Sequence, residues 1–115
     1  MTAIRTHDLI TYVDTDALEW EDVTPGIRRK TLFEDPATGQ RTRLVQWEAG
    51  YHVPYLDRHP NGEYIYVMSG TFVDQNGASG PGTYIHYLPG TEHQPSTTDG
   101  CTFLVVVPGS PPMNG

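Results

Sequence analysis

Cysteine is almost absent: Cys101 stands alone among 115 residues. That excludes an internal disulfide and fits a reducing compartment. Basic residues are scarce too, 7 lysines and arginines against 14 acids, for a net charge of -7. A chain this acidic has no electrostatic footprint for phosphate backbones or anionic lipid, so neither nucleic acid nor a membrane surface is an expected partner. No apolar run approaches the roughly 20 residues of a membrane span, and the opening MTAIRTHDLI lacks the apolar core of a signal peptide. The expectation is a cytoplasmic protein. Repeats and linkers are missing as well, which leaves a single domain over residues 1–115.

What the chain does have is turns. Its 12 glycines and 10 prolines are spread from Pro25 to Gly115 rather than gathered in one tract, a pattern of short strands and many corners. Strands are expected over residues 41–49, 63–68, 71–73, 82–88 and 101–107, each closed by Gly, Pro-Gly, Asn-Gly or Asp-Gly. The last of these, CTFLVVV, is the most apolar and reads as a strand buried on both faces. Only Asp14 to Asp22 offers a helical possibility. The tripeptide Arg28-Arg29-Lys30 is expected on a solvated strand edge, and the tail over 108–115 to be extended or mobile. Together these features define an all-β sandwich or barrel.

Chemistry concentrates in two places. In Asp57-Arg58-His59-Pro60-Asn61-Gly62-Glu63, the first and third residues share a strand face, and the Pro-Asn-Gly turn can return the Glu63 carboxylate beside His59. Two carboxylates and an imidazole at that density favour a divalent cation. The second place is Pro89-Gly90-Thr91-Glu92-His93, where a turn delivers His93 to a strand start, a fourth donor if that strand lines the same cavity. If Glu63 points inward, Ile65 and Val67 do too, and Tyr64 and Tyr66 face out. Tyr51, Tyr64, Tyr66, Tyr84 and Tyr87 read mostly as sheet packing. Tyr55 shares parity with Asp57 and His59 and is the pocket candidate. His52 and His86 read as ordinary strand residues, with a minor supporting role open to His86, and Cys101 reads as a small buried hydrophobe.

These residues carry a resemblance to the cupin superfamily, and within it to the ChrR-type cupins. Gly50, Asp57-x-His59, Glu63 and Gly70 stand for the first motif; Gly82, Leu88-Pro89-Gly90 and His93 stand for the second. The likeness runs over about residues 20–107 and implies a single-domain cupin jelly roll, a double-stranded β-helix barrel, with one divalent metal per chain: Fe(II), Zn, Mn or Ni. Three departures stand out. Asp57 replaces the first histidine of the family's pair, it lies one residue further from Gly50 than the family's spacing, and Leu88 stands where proline is usual. From the family's three-histidine, one-glutamate ligand set, His59, Glu63 and His93 carry over, with Asp57 a chemically reasonable fourth ligand. Without Asp57 the remaining three make the two-histidine, one-carboxylate set of non-haem Fe(II) oxygenases.

The resemblance implies a metal-dependent enzyme acting on a small, oxygen-rich metabolite, with dioxygenase chemistry first. Non-redox cyclase, isomerase or lyase chemistry stands beside it, as does a non-catalytic zinc sensor or ligand-binding module. Glu63, Asp57 and Tyr55 are the candidate catalytic groups. The barrel's start near the N-terminus is expected to leave no room for a sigma-binding domain. A homodimer is expected through the outward tyrosines.

Overall fold

The computed structural model describes residues 3–110. Alternating sequences become strands throughout, and among the described residues there is no α-helix. In chain order the strands are β1 (Ile4–His7), β2 (Ile10–Val13), β3 (Glu21–Thr24), β4 (Ile27–Asp35), β5 (Gln40–Trp47), β6 (Asp57–His59), β7 (Glu63–Gly70), β8 (Phe72–Asp74), β9 (Gly77–Ser79), β10 (Tyr84–Tyr87), β11 (Thr91–His93) and β12 (Cys101–Val107). Six of them form one antiparallel sheet in the order β10-β7-β12-β5-β4-β3, while β6 pairs with β11, β8 with β9, and β1 with β2.

The inner face of the large sheet is packed by aromatic residues. Trp47 of β5 stacks on Phe72 of β8 at 5.4 Å and meets Phe103 of β12 edge-on at 4.9 Å. Ile65 and Val67 of β7 are almost wholly buried at 1% and 0% exposure; removing such side chains from water stabilises a fold by about 1.5–3 kcal/mol each. The β7 alternation holds as expected: Glu63, Ile65 and Val67 point inward, while Tyr66 and Met68 are exposed on the outer face.

Four expectations are corrected. β12 is fully buried on one face only, through Cys101, Phe103 and Val105. Its other face is half-buried, Leu104 lying in register between Leu44 and Tyr66. The helical possibility at 14–22 reduces to one 3-10 turn, Thr15–Ala17, whose start is held by Asp16 N–H donating to Asp14 Oδ1 at 3.2 Å. Arg28-Arg29-Lys30 sits on β4, inside the sheet, because β3 forms the edge. There Lys30 is buried under Trp20 and donates its Nζ to the Thr15 carbonyl at 2.7 Å. Finally, the start of the tail is tied down: Ser110 N–H donates to Thr38 O at 2.9 Å and Asn61 Nδ2 donates to Ser110 Oγ at 2.9 Å. Residues 111–115, the rest of the expected tail, lie outside the described residues. No helix among the described residues is long and apolar enough to cross a membrane.

Candidate metal centre

Two candidate donors come from one strand. β6 presents Asp57 and His59 to the same side, two residues apart. The chain then turns through Pro60-Asn61-Gly62 and begins β7 at Glu63. Gly62 has φ +83°, and a Cβ there would come within 2.7 Å of the Tyr87 carbonyl oxygen. Only glycine fits a left-handed position under that backbone, so the return of Glu63 to His59 depends on it. His93 arrives on β11, whose antiparallel register sets it opposite Asp57.

The three side chains converge. His59 Nε2 and His93 Nε2 are 2.6 Å apart, and each lies 3.7 Å from Asp57 Oδ2. They are the group of potential metal donors that the described residues bring together, all within 4.8 Å of one another. Both imidazoles are buried, His59 at 5% and His93 at 2% exposure.

Glu63 takes a different position. Its Oε2 lies 3.3 Å from Nδ1 of His59, and its Oε1 lies 4.0 Å from His93 Nε2. When ionised, a carboxylate there favours the proton on Nδ1 and leaves Nε2 free to act as a donor, the usual arrangement behind a metal-binding histidine. Asp57 thus completes a two-histidine, one-carboxylate cluster, with Glu63 in contact with both histidines. Tyr55 lies in a bend before β6 rather than on the strand, so the parity argument does not reach it; it is exposed at the rim of the inner cavity.

Electrostatics fit a cation. The His93 imidazole beside Asp57 and the nearby His59 hold the Asp57 carboxyl below its usual range, against the opposing effect of burial. Burial lowers the His59 pKa, keeping the ring neutral and its lone pair available, although Asp57 pulls the other way. Glu63 is pushed up to about 8 by burial and then by Asp57, with Arg41 opposing. Two neutral imidazole nitrogens 2.6 Å apart can share only one proton. A cation between them would use both lone pairs and the Asp57 oxygen, a nitrogen-and-oxygen donor set that suits Zn, Fe, Mn or Ni. The Nδ1 of His93 has no hydrogen-bond partner, so on that side the ring is held by packing.

That packing comes from residues the sequence reading did not assign to the site. Tyr87 lies 4.4 Å from the His93 ring and 5.7 Å from that of His59, centroid to centroid, and Phe72 lies 6.3 Å from His93. The Tyr87 hydroxyl donates to Asp74 Oδ2 at 2.6 Å; burial, reinforced by this bond, raises its pKa well above the usual phenol range. Tyr87 pairs with Glu63 across β10 and β7, and that register was the missing signal. Asp57 and His93 open onto an inner cavity of about 220 Å3, walled by Val45, Ile65, Phe72, Phe103 and Val105 together with Arg41. A larger depression of about 500 Å3 lies near Gly100 and Cys101, but none of the converging donors lines it.

An all-β barrel with inward-facing histidines and carboxylates at one end of its cavity is a cupin. The chain belongs to the ChrR cupin-like domain family, whose model matches residues 10–109. Solved structures share the fold. The complex of SigE with the anti-sigma factor ChrR from Rhodobacter sphaeroides matches with a TM-score of 0.68 at 23% identity, over 81% of this chain and 51% of that one. The polyketide cyclase RemF from Streptomyces resistomycificus matches at 0.70 and 23%, over 87% and 80% of the two chains. A candidate acetylacetone dioxygenase from Methylibium petroleiphilum PM1 matches at 0.73 and 17%, over 90% and 80%. The chain therefore spans about half the length of the ChrR-complex chain it matches. Among curated proteins, none matches by sequence.

Proposed function

We propose that Asp57, His59 and His93 bind one divalent metal ion per chain, with Glu63 as the group that orients His59, and that the domain uses this centre on a small oxygen-rich organic substrate. The reading is carried by one observation: three donors converge within 4.8 Å, two of them, Asp57 and His93, lining an inner cavity. Bound there, the ion would supply Lewis acidity toward chelating oxygens and, as Fe(II), reactivity toward dioxygen. The chain's own residues do the rest. Asp57 brings negative charge, the Phe72 and Tyr87 rings keep water from the imidazoles, and Glu63 can take or return a proton near neutral pH. Tyr55, at the rim, is placed to meet a substrate on entry.

Dioxygenase chemistry is the leading form, supported by the fold shared with the candidate acetylacetone dioxygenase and by the two-histidine, one-carboxylate set. Oxygen uptake by Fe(II)-loaded protein with a panel of β-dicarbonyl and catechol-like compounds tests it. Substrate-dependent uptake that Asp57→Asn lowers by about 100-fold is expected. Absence of uptake, with zinc held tightly in its place, would point instead to non-redox cyclase chemistry, which the RemF fold supports, or to a non-catalytic zinc sensor.

The domain is proposed to act as a homodimer. Tyr66, Met68 and Tyr84 are exposed on the large sheet, and the β1-β2 hairpin exposes Ile4, Leu9, Ile10 and Tyr12. A lone two-stranded hairpin is marginal in water without further packing. Light scattering is expected to give the mass of two chains for the wild type and of one for the double variant Tyr66→Asp, Leu9→Asp. A monomeric wild type at high concentration would contradict the proposal.

A further inference from the structure

Three arginines line the inner cavity alongside Asp57, Glu63 and His93. β5 directs Arg41 and Arg43 into the cavity and β4 adds Arg29. Two of the three are already neutralised: Arg29 Nε lies 3.0 Å from Glu21 Oε1, and Arg43 Nη2 lies 3.0 Å from Glu34 Oε1. Arg41 makes no ion pair among the described residues; its Nη1 donates to the Gly39 carbonyl at 3.1 Å. It pairs in register with Val107 of β12, and the next strand across, β7, begins at Glu63. Arg41, Asp57 and Glu63 together border both the inner cavity and a second, polar cavity of about 270 Å3. Arg41 is half-buried where the two meet.

Charge balance gives this placement a consequence. With a divalent ion bound and both carboxylates ionised, ion and carboxylates cancel, and the Arg41 guanidinium is left as unbalanced positive charge. The same cavity is also lined by Val45, Ile65, Phe72, Phe103 and Val105. A complementary ligand has one anionic head and an apolar body. It is also small, since 220 Å3 is the room of about seven water molecules at about 30 Å3 each.

We propose that Arg41 is the anion anchor of this cavity and that the domain binds a small organic monoanion, a carboxylate or enolate with an apolar body, whose oxygens face the guanidinium and the metal donors together. The charge count rests on the metal reading; the unpaired arginine in the cavity wall does not.

The test is calorimetric titration of benzoate and its neutral isostere benzamide into zinc-loaded and metal-free protein. Benzoate is expected to bind about tenfold or more tightly than benzamide, as a charge-assisted pair should. Arg41→Met should erase that preference and Arg41→Lys restore part of it, with zinc stoichiometry unchanged in both variants. No saturable benzoate binding, no preference in the wild type, or a preference that survives Arg41→Met would overturn the proposal. The two readings fail separately. Protein that takes up no zinc but keeps an Arg41-dependent preference contradicts the metal centre and supports the anchor. Zinc-loaded protein without that preference does the reverse.

Discussion

His93→Ala is expected to lower affinity for divalent metal by about 100-fold or more, because loss of a group that only orients a ligand already costs 10- to 100-fold. His93 is buried against Phe72 and Tyr87, so truncation also leaves a void and some loss of stability must be separated from loss of the metal. Asp57→Asn makes that separation. Its side chain is more exposed, the change is nearly isosteric, and an amide cannot supply the anionic oxygen that faces both Nε2 atoms at 3.7 Å. Metal that binds only the folded state raises stability by about 2.7 kcal/mol at a hundredfold excess over its Kd. Zinc should therefore raise the Tm of the wild type and leave both variants unmoved. Glu63→Gln, by contrast, should weaken binding by about tenfold, since Glu63 stands at Nδ1 of His59 and not among the three converging atoms. Equal zinc-induced shifts in the wild type and Asp57→Asn would show that Asp57 is no ligand.

Gly70→Ala should unfold much of the protein at moderate temperature. Gly70 ends β7 at φ +73°, and a Cβ there would lie 1.9 Å from the Gly100 carbonyl oxygen and 2.8 Å from Cys101 Cα. Both neighbours are backbone at the start of β12, with which Gly70 pairs, so neither can move aside without breaking the ladder. A loss of about 4 kcal/mol is expected, at the upper end of single substitutions, and a fall in Tm of about 15 °C. Gly82→Ala is the control. It shares a positive φ of +86° but has nothing within 4 Å of the added methyl, so it should cost only about 1 kcal/mol of backbone strain. Thermal denaturation of the two variants side by side isolates the steric contribution; similar Tm values for both would contradict the close approach at Gly70.

Local pattern carried much of this molecule. The alternation of Glu63, Ile65 and Val67 named the buried face of β7, because strand parity is a property of the backbone and needs no partner. The apolar run at 101–107 marked β12 to the residue, although its outer face proved half-covered, which depends on whether a second layer lies above it. Asp57 and His59 were legible as a pair for the same reason of parity. The pairing of β6 with β11, which sets His93 opposite Asp57, joins segments more than 30 residues apart; no local rule specifies it, and the sequence reading did not contain it. Glu63 was placed near His59 correctly, but which imidazole nitrogen it meets depends on side-chain angles. Arg41 and Tyr87 were passed over because each reaches the site across a neighbouring strand. Arg41 needs the order β5-β12-β7, and Tyr87 needs the register of β10 on β7.

The central claim is that Asp57, His59 and His93 are the donors of a metal centre. Elemental analysis of purified protein after saturation with zinc and exhaustive dialysis, joined to X-ray absorption at the zinc edge, tests it most directly. The account predicts one ion per chain, a first shell of nitrogen and oxygen without sulfur, and the scattering signature of two imidazoles. Far less than one ion per chain, at a level that His59→Ala does not change, would contradict it.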